Sequence, residues 1–141
     1  MPVRSLRPCV SIRLACCLLV GFLPAACSGP PPVNQNEADN LVKIQTAYNK
    51  ATQELGRPPA NLDELLPRLK PLGDPDTLLR SPRDGQPYVI NWKVDVHNIQ
   101  TLPPPVVAYE QKGAGGKHYV LTVMGIMPTS DEEFARLVPA K

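Results

Sequence analysis

A short apolar run near the start of the chain decides how much of the sequence is left to fold as a domain. The run covers residues 14–23, and it follows the three basic residues Arg4, Arg7 and Arg13. A basic, then apolar, then small order is typical of a secretory signal, and the run is shorter than the roughly 20 residues of a spanning helix. We interpret residues 1–26 as a cleaved signal peptide, with a retained transmembrane anchor as the alternative that this length disfavours.

The residues that end this signal predict where the mature chain begins. The sequence LPAAC at residues 23–27 resembles the lipobox of bacterial lipoproteins, in which small residues precede a cysteine that is acylated and becomes the first mature residue. Pro24 stands where that family usually has a branched apolar residue, so ordinary cleavage near Ala26 or Ser28 is the alternative. The resemblance implies lipid attachment at Cys27 and a membrane-anchored lipoprotein of the bacterial cell envelope. The alternative implies a freely secreted or periplasmic protein.

The cysteines and the charges limit what the remaining chain can bind. All four cysteines lie in the first 27 residues, so the chain after them can form neither a disulfide nor a thiolate metal site. Without the signal, twelve basic side chains remain against thirteen acidic ones, a formal charge of −1. This balance gives no electrostatic reason to expect a nucleic acid or an anionic surface as a partner. We expect the stability of the domain to come from packing.

Residues 27–36 are predicted to be a lipid-anchored tether. They are polar and rich in proline, and they show neither helical nor strand periodicity. An extended segment of this kind would hold the domain about 30 Å from a membrane, at roughly 3.1 Å per residue. We assign residues 37–141 to one small domain, because a chain of this length is typical of a single hydrophobic core.

A long helix is predicted between Ala38 and Leu55. Apolar residues recur there at spacings of three and four, which places them on one helical face. These residues are Leu41, Ile44, Ala47, Tyr48, Ala51 and Leu55. Gly56 and Pro58 end the helix, because a glycine just past the last turn and a proline soon after are typical stop signals.

Two shorter helices and one loop are also predicted. Asn61 is suited to the N-cap of a second helix, whose continuation Pro67 would disfavour. Ser130 and Glu133 can form the capping box of a short terminal helix. Residues 71–87 are dense in turn-forming residues and are predicted to be a surface loop.

Three strands are predicted. Apolar and polar residues alternate over residues 88–96, which is the pattern of a half-buried strand. Residues 106–110 and 118–124 flank the glycine-rich segment 113–116 and predict a hairpin. The expected fold class is α+β, with a long N-terminal helix packed on a small three-stranded antiparallel sheet and a short terminal helix.

The order of these elements is similar to that of a known family. The helix stop GRPP at residues 56–59, the Leu-rich turn at residues 61–66 and the segment SPRDGQPY at residues 81–88 resemble the globular region of type II secretion pseudopilins and type IV pilin-like proteins. The resemblance implies a non-catalytic protein that acts through protein–protein interaction, as an accessory to a secretion or pilus-like system.

Two departures from that family limit what the resemblance implies. Pilin-like subunits polymerise through a long apolar N-terminal helix, whereas the tether and Cys27 occupy that place here. The major pseudopilins also carry a calcium-binding loop, whereas the loop at residues 112–117 contains no carboxylate. We therefore expect neither the fibre contact of the family nor its calcium site.

No group of residues predicts an active site. His97 and His118 have no Ser, Cys or carboxylate at a spacing that predicts a triad, so they are interpreted as structural or solvent-facing. Asp74, Asp76 and Asp84 are the candidate ligands of a hard cation such as calcium, since they lie close together in a turn-rich segment. Without a further acidic cluster, turn roles are favoured. We predict no catalytic residue, no metal and no cofactor.

Two further groups could hold a ligand. Lys112 and Lys117 flank the glycine-rich segment 113–116 as in an anion cradle, but a phosphate loop needs a following helix and a strand is predicted here. Tyr88 and Trp92 share one face of the predicted strand and could form a binding platform, although core packing is favoured for such aromatic residues. The alternative to a protein-binding role is therefore a ligand-binding or enzymatic envelope lipoprotein, which a deep polar pocket would distinguish.

Overall fold

The computed structural model describes residues 34–97 and 99–138. The predicted signal peptide, Cys27 and most of the predicted tether lie outside the described residues. The described residues form these elements in chain order: α1 (Gln35–Leu55), α2 (Leu62–Leu69), a 3-10 turn (Lys70–Leu72), α3 (Pro75–Leu78), β1 (Val89–Ile90), β2 (Val106–Tyr109), β3 (Lys117–Thr122), β4 (Gly125–Ser130) and α4 (Asp131–Leu137). The predicted α+β class, with a helix at each end of an antiparallel sheet, is confirmed.

The sheet has four strands in the order β1-β2-β3-β4, one more than predicted. The missed strand β4 follows a two-residue turn, because Thr122 pairs directly with Gly125. The residues of that turn, Val123 and Met124, are not those that favour hairpin turns, and Pro128 within the strand disfavours a strand in the sequence pattern. Pro128 is tolerated because β4 is an edge strand, where a missing N–H can face away from β3.

The strand predicted over residues 88–96 is only two residues long. The alternation continues beyond β1, but the backbone turns at Lys93, which has a φ of 62°. The hydroxyl of Tyr48 on α1 then accepts a hydrogen bond from the Val94 N–H at 3.0 Å. A side chain of α1 therefore takes the place of the neighbouring strand that an extended segment would need.

Helix α1 begins earlier than predicted. The side chain of Asn34 accepts a hydrogen bond from the Asn36 N–H at 3.2 Å and caps the helix at Gln35, so residues 35–36 belong to the helix and not to the tether. The predicted apolar face is buried except for Leu55, which is 37% exposed at the last turn. Gly56 ends the helix with a φ of 66°, as the sequence predicts.

The segment between α1 and the sheet contains more helix than predicted. Asn61 caps α2 as expected, by accepting a hydrogen bond from the Glu64 N–H at 3.1 Å. The helix continues through Pro67 because Leu65 and Leu69, on either side of it, are fully buried. The short helix α3 lies within residues 71–87, which were predicted to be loop.

The two faces of the sheet are covered by different helices. We name the face against α1 the inner face, where Leu121 of β3 joins the main core. A bulge in β2 lets both Val107 and Ala108 enter that core. On the opposite, outer face, Phe134 of α4 stacks on His118. None of the helices in the described residues has the combined length and apolar character needed to cross a bilayer.

Candidate functional site

The most highly connected polar group in the described residues lies where the loop before β1 meets the hairpin of β2 and β3. We name it the Arg83 network, and it consists of Glu37, Ser81, Arg83, Glu110 and Tyr119. Glu37 comes from the first turn of α1, and Ser81 and Arg83 come from the loop before β1. Glu110 and Tyr119 come from the hairpin. The network therefore joins three separate parts of the sequence.

Glu110 is the acidic centre of the network and is fully buried. One of its carboxylate oxygens accepts a hydrogen bond from the Ser81 hydroxyl at 2.7 Å. The other accepts from an Arg83 Nη1 at 2.6 Å and from the Tyr119 N–H at 2.8 Å. Hydrogen bonds in which one partner is ionised are stronger than those between neutral groups. Both oxygens of this carboxylate are therefore occupied by donors of the protein itself.

Arg83 is the basic centre and has a side chain that is 12% exposed. Its Nε lies 3.2 Å from a carboxylate oxygen of Glu37, and its Nη2 donates to the Ala114 carbonyl at 2.8 Å. The guanidinium carbon also lies 4.2 Å from the centre of the Tyr119 ring. Arg83 thus uses its planar group for two carboxylates, the carbonyls of Ala114 and Lys117 and one aromatic face, which is the geometry that distinguishes Arg from Lys.

The glycine-rich turn binds an anion, and that anion is a side chain of the same protein. A carboxylate oxygen of Asp84 accepts hydrogen bonds from the Lys112 N–H at 3.1 Å and the Gly113 N–H at 3.0 Å. Burial acts to raise the pKa of Asp84, but these bonds and a third from the Gln86 N–H hold it below its ordinary value. The anion cradle considered from the sequence is therefore occupied internally, and residues 113–116 form the hairpin turn, as the favoured prediction has it.

The candidate cation ligands are not brought together. Asp74 caps α3 by accepting hydrogen bonds from the N–H and hydroxyl of Thr77, and Asp84 is bound to the hairpin turn. Asp76 lies in the first turn of α3. Among residues 34–97 and 99–138, no group of three or more His, Cys, Asp or Glu side chains is placed to hold a metal ion.

The two histidines lie in different environments. His97 is exposed and lines an open groove. His118 is buried on the outer face, with Nδ1 3.2 Å from the Glu110 carbonyl oxygen and Nε2 3.1 Å from an Asp131 carboxylate oxygen. The sequence spacing did not predict the His118–Asp131 contact. Because both ring nitrogens face acceptors, the geometry of His118 is that of a structural residue.

The two aromatic residues of the proposed platform contribute to the core. Tyr88 is buried and Trp92 is half-buried, and both pack against the main core cluster. The hydroxyl of Tyr88 has no hydrogen-bond partner of good geometry in the described part of the chain, and burial raises its pKa to about 12. The packing of both rings against the core agrees with the favoured core role and not with a binding platform.

Two open grooves flank α1. The first has a volume of about 430 Å³ and is lined by Gln35, Ala38, Asp39, Val42 and Ile126. The second has a volume of about 330 Å³ and is lined by Asn49, Gln53, Val96, His97 and Val123. We name them the α1–β4 groove and the His97 groove. The first is the more apolar, since Val42 alone is 47% exposed.

Sequence reasoning missed the Arg83 network for a simple reason. Glu110 directly follows an apolar strand, and Arg83 lies in a turn, so each resembles an ordinary surface charge. Their 27-residue separation gives no periodic signal that would pair them. Comparison of the chain with protein-family models, curated proteins and solved structures finds no match.

Proposed function

We propose that this protein is a lipid-anchored component of the cell envelope that acts by binding another protein. The proposal keeps Cys27 as the site of lipid attachment. The observation that carries the binding role is the α1–β4 groove, which exposes apolar side chains at the edge of the sheet. Exposed apolar surface that is flanked by polar residues is one feature that marks protein interaction sites.

The composition of the α1–β4 groove supports a protein partner. The groove is lined by the apolar residues Ala38, Val42 and Ile126 and by the polar residues Gln35 and Asp39. Protein interfaces usually combine apolar and polar residues in this way. The groove is open to solvent on one side, which suits a helix or a loop of a partner better than an enclosed small molecule.

The internal pairing of the polar groups also favours binding over catalysis. Glu110 has its carboxylate filled by three donors, and His118 has an acceptor at each ring nitrogen. A general acid or base needs a position from which it can reach the proton of a substrate. Glu110 and His118, the most buried candidates, instead form hydrogen bonds that hold loops and α4 in place.

The early start of α1 limits how far the domain can stand from the anchor. Eight residues lead from Cys27 to Gln35, a distance of at most about 28 Å at the limit of roughly 3.5 Å per residue. The α1–β4 groove lies along the first two turns of α1. A lipid at Cys27 would therefore keep the groove close to the bilayer, so we infer a partner that is itself associated with the membrane.

The finer assignment, to an accessory of a secretion or pilus-like system, rests on the resemblance of residues 56–59, 61–66 and 81–88 to pseudopilins. A long helix packed on a small antiparallel sheet is consistent with it. Since the N-terminal fibre helix of that family is replaced by the tether, we propose an accessory role and not that of a fibre subunit.

The lipid anchor can be tested by replacing Cys27→Ser. Cells are labelled with a palmitate analogue, and the membrane and soluble fractions are separated. We expect the variant to lose the label and to leave the membrane fraction, because the acyl chains that would anchor the protein have no attachment site without Cys27. The double variant Cys16→Ser/Cys17→Ser is the matched control and should stay labelled. Wild-type protein that is unlabelled and soluble would contradict the anchor and favour a freely secreted domain.

The groove can be tested by placing a photo-crosslinking amino acid at Val42 in cells. Leu62 is the matched control, since it is also an exposed aliphatic residue on a helix, at 37% exposure, and it does not line the groove. We expect a discrete protein adduct at Val42 and none at Leu62. Equal or absent adducts at both positions would contradict the proposed interface.

A second candidate function, binding of a small polar ligand, has one observation in its favour. The His97 groove brings Asn49, Gln53 and His97 to one surface, which provides several hydrogen-bonding groups. If this groove binds a ligand, a compound that raises the melting temperature of the wild type should fail to do so for His97→Ala. Equal stabilisation of both proteins would remove this candidate.

A further inference from the structure

The three most exposed large apolar side chains of the described residues belong to two loops at one end of the sheet. They are Leu102 at 88% exposure, Met124 at 67% and Ile99 at 62%. A single exposed apolar residue on a protein surface is ordinary, whereas three of them on adjoining loops form a patch that indicates an apolar partner. We name these three residues the apolar tip.

The two loops are fastened together by hydrogen bonds. The Val123 N–H donates to the Pro105 carbonyl at 3.0 Å, which joins the turn that contains Met124 to the end of the loop that precedes β2. The Ile99 N–H donates to the His97 carbonyl at 3.0 Å, and His97 lines one groove together with Val123. Each residue of the apolar tip lies within three residues of one of these contacts along the chain.

The sequence around the apolar tip carries no charged side chain. Residues 98–109 and 119–130 contain no Asp, Glu, Lys or Arg. The charges that precede the first of these segments most closely are Lys93 and Asp95, which are exposed and of opposite sign. Transfer of a charged side chain into hydrocarbon is costly, so a surface without charge is suited to an apolar phase.

The backbone of the apolar tip also requires little water. Residues 103–105 are three consecutive prolines, which have no N–H group. The Met124 N–H donates to the Thr122 hydroxyl at 3.2 Å, and the N–H groups of Val123 and Ile99 are bonded to carbonyls. An N–H group without a partner is costly to bury in lipid, because hydrocarbon offers no acceptor, whereas a protein partner can supply one. The internal pairing of these N–H groups therefore favours a bilayer over a protein surface.

The proposed anchor leaves the apolar tip within reach of a membrane. The His97 groove beside the tip is lined by Asn49 and Gln53 of α1, whereas the anchor joins the helix at Gln35. At about 1.5 Å per helical residue, the tip lies about 21 to 27 Å along α1 from the start of the helix. The chain from Cys27 to Gln35 spans up to about 28 Å. The tip can therefore meet the bilayer even when α1 stands upright with its C-terminal end towards the membrane.

We propose that the apolar tip inserts into the surface of a lipid bilayer and sets the orientation of the anchored domain. Interfacial segments enter the boundary between headgroups and acyl chains to a depth of about 5–10 Å, which loop side chains can reach. A fluid bilayer adapts to separate protruding side chains, whereas a protein partner needs a complementary surface. Since the chain after the predicted signal has a formal charge of −1, the attraction is apolar and needs no anionic lipid. This inference rests on the proposed lipid anchor at Cys27.

The test uses a fluorescent label on single cysteines of the acylated protein in phosphatidylcholine vesicles. Acylation blocks the thiol of Cys27, so Leu102→Cys provides the only free thiol of the mature chain. Quenching by nitroxides on the lipid acyl chains then measures contact of the label with hydrocarbon. We expect strong quenching at Leu102→Cys and Met124→Cys. We expect weak quenching at Glu132→Cys, an exposed position beyond the opposite end of the β3–β4 hairpin.

A charge placed on the apolar tip should expel it from the bilayer. Met124→Asp should lower the ratio of inserted to free label at Leu102→Cys by about tenfold, since burial of one aliphatic side chain contributes a factor of at least that size. Leu62→Asp is the matched control, because it places the same carboxylate at an exposed aliphatic position outside both loops. It should leave the quenching unchanged, as should high salt.

The outcomes separate the apolar tip from the anchor. Flotation of the vesicles shows whether the protein is anchored, independently of the label. Anchored protein with equally weak quenching at Leu102→Cys and Glu132→Cys would refute the tip and leave the anchor standing. Protein that fails to float would contradict the anchor. In that case Cys27→Ser/Leu102→Cys protein is measured at excess lipid, and absence of quenching there would refute the tip. A label that is shielded in native membranes but not in vesicles would identify a protein partner and refute the bilayer.

Discussion

The helix on the inner face of the sheet buries seven of its residues, whereas the helix on the outer face buries none. Helix α1 provides fully buried Leu, Ile and Tyr side chains to the main core. Helix α4 provides the half-buried Phe134 and Leu137, a capping box and a contact between Asp131 and His118. Helix α1 therefore packs on the inner face through many buried side chains, whereas α4 is held on the outer face by few contacts.

The difference indicates where the free energy of unfolding resides. Burial of apolar surface is the dominant favourable term in folding, so removal of α1 from the sheet amounts to global unfolding. Removal of α4 exposes much less surface and can occur as a local opening. Substitutions on the inner face should therefore change the unfolding midpoint. Substitutions on the outer face should mainly change the hydrogen exchange of α4.

The largest expected effect is that of Ile44→Ala on the inner face. Ile44 is fully buried, and truncation of such a side chain costs about 2–5 kcal/mol of unfolding free energy. Urea denaturation, followed by the fluorescence of the single tryptophan, measures this loss. Val42→Ala on the exposed side of the same helix is the control and should cost well under about 1 kcal/mol. A similar loss for both would show that α1 is not anchored by one face.

A somewhat smaller effect is expected from Glu110→Ala in the Arg83 network. The change leaves Arg83 without its buried partner, which typically costs about 3 kcal/mol. The double variant Arg83→Ala/Glu110→Ala should cost less than the sum of the single variants, because the orphaned charge is removed with its partner. Strict additivity in urea denaturation would mean that the two side chains do not stabilise one another.

The smallest effect on global stability is expected from Phe134→Ala on the outer face. Since Phe134 is only half-buried and α4 can open locally, we expect a loss of about 1 kcal/mol or less in the free energy of unfolding. Hydrogen exchange of residues 131–138 should nevertheless become much faster. A loss as large as that of Ile44→Ala would place the outer face in the same cooperative core as the inner face.

Local signals in the sequence predicted much of the inner face and the helix ends. The spacing of Leu41, Ile44 and Tyr48 identified the buried side of α1, because a helix repeats its faces every 3.6 residues. The capping box of Ser130 and Glu133 predicted α4 and is present. The hairpin around residues 113–116 was also correct, since the glycines there have positive φ values.

Features that depend on distant partners could not be predicted. The alternation after β1 predicted a strand, but the hydroxyl of Tyr48 supplies the hydrogen bonds in its place. β4 was missed because Pro128 and an apolar turn disfavour a strand locally, although an edge position allows it. The Arg83 network joins residues from α1, a loop and a hairpin, so its pairing exists only in the folded chain.

The packing of the glycine-rich turn has a consequence for evolution. A Cβ atom at Gly113 would lie 2.3 Å from the Lys117 carbonyl oxygen, so any other residue there would have to move the hairpin backbone. The same turn needs the carboxylate of Asp84 as the acceptor for its N–H groups. Descendants of a common ancestor with this domain are therefore expected to retain an aspartate and a glycine at these two positions, even where drift has erased the rest of the resemblance.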